Sequence, residues 1–155
     1  MSRVFVCGRI FLIPICAALL MSGCSAIDPP EGYVKVKDQT LYDVKAVSPR
    51  GNVIAFKSRP NEDRSADLKF WTQAVEYQKV DLDGMKLIDR ESIKASGGLE
   101  GTLFHFEGGE GQAKITYLVA LYVAPTRIYT VEATGPTTAL TMDLDKLRKS
   151  MLSLR

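Results

Sequence analysis

One stretch in the second half of the chain is apolar on both of its alternating faces. Within residues 114–123, every second position carries one apolar set, namely Ile115, Tyr117, Val119, Leu121 and Val123. The positions between them carry Leu118, Ala120 and Tyr122. A strand with two apolar faces is covered on both sides, as in the interior of a layered sheet. The pattern therefore predicts a central strand with packing layers above and below it.

Other runs in the second half favour strands as well. They cover residues 87–93, 102–106 and 127–133, and glycine or proline turns separate them. The connections are short, whereas parallel strands need long crossovers. We therefore expect an antiparallel meander of four strands.

The first half of the domain adds a hairpin. Residues 33–36 predict a short edge strand with its lysines turned outward. Residues 41–47 and 53–56 alternate around a turn at residues 48–52, where Pro49 and Gly51 supply turn geometry.

Two segments show helical periodicity. The first is predicted to begin at an N-cap on Ser65 and to end at Gly84. Its apolar positions are Leu68, Trp71, Val75 and Leu82. On such a stripe we expect Trp71 to pack in the core, and stacking on a ligand is the alternative.

The second helical segment is predicted to begin at Pro136 and Thr137. Its apolar positions are Leu140, Leu144, Leu147, Met151 and Leu154. We expect this stripe to pack on the sheet. A coiled-coil seam and an interfacial membrane helix are the alternatives.

The amino-terminal residues have the layout of a secretory signal. Arg3 and Arg9 precede an apolar run over residues 10–20. This run is shorter than the roughly 20 residues that cross a bilayer. We therefore expect a removable signal over residues 1–23, with a retained anchor as the alternative.

The end of this signal resembles a bacterial lipobox. Small Ser22 and Gly23 come directly before Cys24, although Met21 stands where such boxes usually carry leucine. The resemblance implies cleavage between Gly23 and Cys24, a diacylglyceryl thioether on the Cys24 sulfur and acylation of the new amino terminus. A plain secretory signal cleaved elsewhere would leave Cys24 as a lone thiol.

The residues after Cys24 indicate where the protein is held. By resemblance to Gram-negative lipoproteins, Ser25 in place of aspartate implies export to the outer membrane, with the domain on its periplasmic face. In a Gram-positive host the same anchor would hold the protein on the outer face of its only membrane. Residues 24–32 contain Pro29 and Pro30 and predict a short tether, followed by one domain over residues 33–155.

The charged and cysteine residues restrict the partners and the chemistry. The sequence has 20 basic and 18 acidic residues, and loss of Arg3 and Arg9 with the signal makes these numbers equal. We expect no nucleic-acid partner, because a balanced charge offers no overall basic field. Cys7 and Cys16 also lie in the signal, so lipidation of Cys24 leaves no thiol for a disulfide, a nucleophile or a metal site.

The order of hairpin, helix, four-stranded meander and helix resembles the PsbP-like fold over residues 33–155. The features that carry the resemblance are the Pro49-Arg50-Gly51 turn, Gly97, Gly98 and Gly101, the apolar strand before Ala124-Pro125, and the Gly135-Pro136 entry to the last helix. This superfamily includes the extrinsic photosystem II protein, a nuclear Ran-binding import factor and several bacterial envelope lipoproteins. The resemblance implies an α+β fold, in which an antiparallel sheet of about six strands is flanked by helices as an α/β/α sandwich. It implies no activity, because none of these features is a catalytic signature.

The sequence shows no set of residues typical of an active site. His105 is the only histidine, and on a strand we expect it to be partly buried and bonded to a neighbour. The run from Asp81 to Gly84 lacks the third acidic position of a calcium loop, and the glycines of residues 108–111 lack the lysine of a phosphate loop. One histidine without a free cysteine does not favour zinc. We therefore predict that the protein is not an enzyme and needs no cofactor or metal.

Two hypotheses about function follow. The first is a non-catalytic envelope protein that docks onto another envelope protein, with contacts at the loop residues Arg50, Asn52, Arg59, Arg64 and Glu110. The second is a binder of a small apolar or envelope-derived ligand between the sheet and a helix. The aromatic candidates for that pocket are Phe104, Phe106, Tyr117 and Tyr122. A filled core would use the same residues.

Overall fold

The computed structural model describes residues 27–37, 41–62 and 66–155. The strands in this part are β1 (Val34–Lys35), β2 (Val44–Val47), β3 (Val53–Pro60), β4 (Lys86–Lys94), β5 (Glu100–Gly108), β6 (Ile115–Val123) and β7 (Arg127–Pro136). The α-helices are α1 (Leu68–Tyr77) and α2 (Thr137–Met151). Several predicted features lie outside the described residues. They are the signal over residues 1–23 with its cleavage residue Gly23, the lipidation site Cys24, and Arg64 and Ser65.

The strands form one antiparallel sheet in the order β1-β2-β3-β7-β6-β5-β4. Strands β4 to β7 make the predicted meander, and β1 to β3 make the predicted hairpin with its edge strand. The hairpin joins the meander through β3, which pairs with β7 from Val53 opposite Thr134 to Pro60 opposite Arg127. The sheet thus has seven strands within the described ranges, against about six expected. The α+β fold predicted from the sequence is confirmed.

Strand β6 is covered on both of its faces, as its composition predicts. Leu118, Ala120 and Tyr122 belong to a buried cluster that also contains Leu140, Leu147 and Met151 of α2. Val119 and Leu121 belong to a second buried cluster with Phe104 and Phe106 of β5. Leu68, Trp71 and Val75 of α1 pack against this second cluster. The two helices therefore cover opposite faces of the sheet.

Helix α1 differs from its prediction at both ends. Asp67 is the N-cap, because its carboxylate accepts a hydrogen bond of 2.9 Å from the Phe70 amide. After Tyr77 the chain widens into a π-helical turn over Gln78–Leu82. This turn changes the angular phase of the helix, so the side chain of Leu82 is 60% exposed instead of buried.

Helix α2 follows its predicted stripe with one exception. Leu140, Leu147, Met151 and Leu154 are buried, whereas Leu144 is partly exposed. Asp143, one residue earlier, is buried instead. Pro136 is the last residue of β7 and directly precedes the helix. Neither described helix is long and apolar enough to cross a bilayer.

Candidate functional site

An open cleft lies between helix α1 and the sheet. It has a volume of about 380 Å³. Its lining residues are Lys57, Arg59, Trp71, Ala74, Val75, Gln78, Lys79, Val119, Thr130 and Glu132. We call this region the α1 cleft. Its volume lies within the range of small-ligand pockets, about 300–1,000 Å³.

Two cations of the α1 cleft lie against aromatic rings. The guanidinium carbon of Arg59 is 4.8 Å from the centre of the Trp71 ring. The Lys79 ammonium is 4.4 Å from the centre of the Tyr117 ring and 2.8 Å from a carboxylate oxygen of Asp83. Within the described part of the chain, Arg59 and Lys57 form no salt bridge. These two cations are therefore available to an anionic group.

Glu132 is the acidic side chain of the cleft, and two tyrosines hold it. The Tyr117 hydroxyl donates to a Glu132 oxygen at 2.6 Å, and the Tyr42 hydroxyl donates to the same oxygen at 3.4 Å. Burial, followed by the charge of Glu132, raises the pKa of Tyr117 far above its ordinary value. The same two causes raise the pKa of Tyr42. Both phenols therefore stay protonated at neutral pH and remain donors to the carboxylate.

The outer side of α1 carries exposed apolar residues next to the cleft. Phe70 is 54% exposed and Tyr77 is 58% exposed. These residues are seven positions apart, which is two helical turns, so they lie on one face of the helix. The rings of Phe70 and Trp71 meet edge to face, with 5.3 Å between their centres. A surface with aromatic residues beside a cleft is typical of an interaction site.

Trp71 packs on the core, as predicted, and also lines the α1 cleft. It packs partly buried against the core beneath α1, as its place on the helix stripe predicts. Its Nε1 atom is buried and has no hydrogen-bond partner among the residues that the structure describes. A buried indole N–H usually has an acceptor, and the described residues supply none to this donor.

The predicted contact residues do not form one surface. Asn52 is fully buried and is therefore excluded from any contact surface. Its side-chain nitrogen donates to the Ala139 carbonyl and to the Asp143 carboxylate. Arg50 is half-exposed and forms a salt bridge of 2.9 Å with Asp143. Both residues thus fasten the β2–β3 turn to α2.

The remaining predicted contact residues are separated from one another. Glu110 is exposed in the connection between β5 and β6. Arg59 lines the α1 cleft. Arg64 lies outside the described residues. Of the predicted set, Arg59 is the residue that the structure places at the candidate site.

The aromatic residues predicted to line a ligand pocket are mostly core residues. Phe104, Phe106 and Tyr122 are completely buried, and the hydroxyl of Tyr122 donates to the Met151 carbonyl at 3.0 Å. Tyr117 borders the α1 cleft through Lys79 and Glu132. The open cleft between the sheet and α1 is lined by Trp71 and by none of these four aromatic residues.

His105 lies on β5 in a small cavity of about 130 Å³ next to α2. Asp89 is its partner residue on β4, and Glu91 and Arg148 also line the cavity. Two Arg148 nitrogens donate to Glu91, and this hydrogen bond lowers the pKa of Glu91. The buried Nε2 of His105 has no described hydrogen-bond partner, so the expected bond to a neighbour is not seen at that atom. The residues that line this cavity do not include a hydroxyl group.

The amino-terminal segment packs on the domain. Ile27 is 4% exposed and belongs to the core cluster beneath α2. The Asp28 amide donates to the Ser153 hydroxyl at 2.8 Å, and the Ser150 hydroxyl donates to the Asp28 carbonyl. Residues 27–30 therefore belong to the folded domain, whereas the sequence placed residues 24–32 in a tether. A hydrophobic residue and two backbone bonds fix this segment.

No group of histidine, cysteine or carboxylate residues within the described ranges is arranged to hold a metal ion. The sequence did not indicate the α1 cleft as such. Arg59 of β3 meets Trp71 only because α1 packs on β5 and β6 of the same sheet, and no local pattern encodes that contact.

Comparisons with protein-family models and with curated proteins found no match. Solved structures do match. LpqN, described as involved in cell envelope biogenesis of Mycobacterium tuberculosis, has a TM-score of 0.65 at 12% identity, with 86% of this chain and 87% of that chain covered. Cyanobacterial PsbP (CyanoP) from Synechocystis sp. PCC 6803 has a TM-score of 0.57 at 12% identity, with 81% and 82% covered.

A protein of unknown function from Pseudomonas aeruginosa, PA94, is also similar. Its TM-score is 0.51 at 14% identity, with 84% of this chain and 83% of that chain covered. Likeness at these identities concerns the fold alone. The chain has a PsbP-like fold, as the resemblance in the sequence implied.

Proposed function

We propose that this chain is a lipid-anchored envelope protein that acts as a non-catalytic accessory module by binding another envelope protein. One observation carries the proposal: exposed Phe70 and Tyr77 stand beside a cleft whose cations Lys57 and Arg59 form no salt bridge with a described residue. A partner segment that presents an apolar side chain next to a carboxylate would match both features.

The envelope location rests on the lipobox resemblance at Cys24 and on Ser25 after it. LpqN, which shares the fold, is described as involved in cell envelope biogenesis. Two or three acyl chains hold a protein on a bilayer almost permanently. In a Gram-negative host this anchor would place the domain on the periplasmic face of the outer membrane.

The non-catalytic role is supported by the side chains of the α1 cleft. Its ionisable residues are Lys57, Arg59, Lys79 and Glu132. Lys79 is paired with Asp83, and Glu132 accepts two tyrosine hydroxyls. Such a set binds and orients groups, but it does not pair a nucleophile with a base.

Photo-crosslinking in intact cells tests the interaction. A photoreactive amino acid at Tyr77 is expected to capture a defined envelope protein, whereas the same probe at the exposed Met142 of α2 captures none. Arg59→Glu should abolish the crosslink, and Lys94→Glu, an exposed charge reversal on β4, should keep it. Equal capture at both probes, or a crosslink that survives Arg59→Glu, would count against this surface. Unfolding curves of both charge variants show that each domain is folded.

The anchor is tested separately with Cys24→Ser. The wild-type chain is expected in the membrane fraction with the mass of a lipidated chain that begins at Cys24. The variant is expected to lack the lipid mass and to remain unprocessed at Gly23. An unchanged processed mass in the variant would refute lipidation.

A second candidate function is the binding of a small apolar, envelope-derived ligand in the α1 cleft. The side chain of Trp71 favours it, because this aromatic residue lines a cleft of ligand size. Native mass spectrometry of protein extracted from membranes is expected to show an added mass that Trp71→Phe reduces. A mass equal to that of the lipidated polypeptide alone would leave the protein-binding function as the explanation of the cleft.

A further inference from the structure

A groove runs between the segment at residues 28–31 and the second half of α2. Its volume is about 360 Å³, and it is lined chiefly by Pro29, Pro30, Glu31, Lys146, Lys149 and Ser150. We call it the α2 groove. It lies beside the helix that covers one face of the sheet, whereas the α1 cleft lies on the other face.

Cations predominate in the α2 groove once its salt bridges are counted. The Asp28 carboxylate is paired with Arg155. Lys146 and Lys149 are exposed and form no salt bridge with any described carboxylate. Glu31 is the remaining acidic residue of the lining. The groove therefore offers two free ammonium groups against one carboxylate, which suits an anionic partner.

The position of Ile27 limits how far the α2 groove can lie from a lipid on Cys24. Ile27 is buried in the core, and Cys24 is three residues before it. Three residues span at most about 11 Å between Cα atoms, even when fully extended. A lipid on Cys24 therefore holds Ile27 within about 11 Å of the lipidated residue, and so close to the bilayer surface. The α2 groove begins at the very next residue, Asp28.

We propose that the α2 groove is the membrane-facing surface of the protein and that Lys146 and Lys149 bind phosphates of anionic lipid headgroups. The proposal rests on the lipid anchor at Cys24. In this orientation lipid headgroups occupy the α2 groove. The α1 cleft, on the opposite face of the sheet, remains open to a partner.

Amine labelling of the full chain in vesicles tests the proposal. The protein is purified from membranes and placed in vesicles of phosphatidylcholine alone or mixed with phosphatidylglycerol. Lys146 and Lys149 should each react about fivefold more slowly in the mixed vesicles, because each lysine near an anionic surface gains that factor in local binding. Lys69 on α1 and Lys86 on β4, both exposed, are the internal controls and should react equally in both vesicles. Equal rates for Lys146 and Lys149 in the two lipids would overturn the proposal.

The mass of the same sample separates this proposal from the anchor itself. If the chain carries no lipid, the anchor fails, and sedimentation with the mixed vesicles then tests the groove alone. Lys146→Gln with Lys149→Gln should reduce that sedimentation about 25-fold, the product of two fivefold factors. The paired control Lys69→Gln with Lys86→Gln should leave it unchanged. Failure to sediment, or the same loss in both double variants, would overturn the groove as a lipid-binding surface.

Discussion

The side-chain nitrogen of Asn52 lies 2.9 Å from a carboxylate oxygen of Asp143, and both residues are buried. Asn52 follows the β2–β3 turn and Asp143 lies on α2, 91 residues further along the chain. The same carboxylate accepts from Arg50 at 2.9 Å and from the Tyr33 hydroxyl at 3.2 Å. Three donors from the hairpin side thus converge on one buried charge of the helix.

Asn52→Ala is expected to destabilise the domain much more than Arg50→Ala. The first variant removes a buried donor to a charged acceptor, which costs about 1.5–3 kcal/mol. The Arg50 side chain is half-exposed, so its ion pair is screened by water and contributes less than about 1 kcal/mol. Urea unfolding of both variants measures the difference. An equal loss in the two would show that the salt bridge contributes as much as the buried amide, against this prediction.

Stability should fall as the pH rises above about 10. Burial raises the pKa of Tyr122 to about 12. The unfolded chain releases this proton near pH 10, so it binds fewer protons than the folded chain between pH 10 and pH 12 and is favoured there. Tyr122 accounts for about 2–3 kcal/mol of that loss by pH 12. Tyr122→Phe should therefore flatten the decline in urea-unfolding free energy relative to the wild-type chain. A decline of the same slope in the variant and the wild type would contradict this assignment.

Gly101→Ala is expected to be among the most damaging small substitutions. A Cβ atom at Gly101 would lie 2.5 Å from the Leu121 carbonyl oxygen and 2.5 Å from the Tyr122 ring. Neither group can move without disturbing the β5–β6 pairing, so we expect a loss of about 3 kcal/mol or more. Gly98→Ala is the comparison, since it has open space but a φ of +87° and should cost about 1–2 kcal/mol. Thermal or urea unfolding gives both values, and a milder effect at Gly101 would refute the steric argument.

Ile27→Ala should destabilise the whole domain, since Ile27 is a core residue. Removal of a buried isoleucine side chain costs about 2–5 kcal/mol. Val34→Ala on the edge strand is the matched control, because Val34 is 66% exposed and its truncation should change stability by less than about 0.5 kcal/mol. If Ile27→Ala unfolds at the wild-type urea concentration, residues 27–30 behave as a tether after all.

The strands were predictable because alternation and turn residues are local. Residues 114–123 predicted β6 within one residue, because apolar side chains occupy both sets of alternating positions there. The pairing of β3 with β7 was not predictable, because it joins residues such as Phe56 and Val131 that no local pattern connects. That pairing also explains why β3 continues to Pro60, beyond the apolar run.

Some individual residues were harder to place than the strands. Asn52 reads as an exposed turn residue, yet α2 buries it through Ala139 and Asp143. Leu82 reads as part of a helical stripe, yet the π-helical turn carries it away from the sheet. The α1 cleft arises from the packing of α1 across the strands, so its residues are scattered from Lys57 to Glu132 in the sequence.

The hydrogen bond from the Asp28 amide to Ser153 has a consequence for the order of folding. The two residues are 125 positions apart, and Ile27 and Leu154 beside them share one buried cluster. In the export proposed above, a channel that delivers the chain from its amino end would release Ile27 long before its partners arrive. The core would then close only after Leu154 had passed the channel, and until then the chain would expose apolar surface that a chaperone could shield.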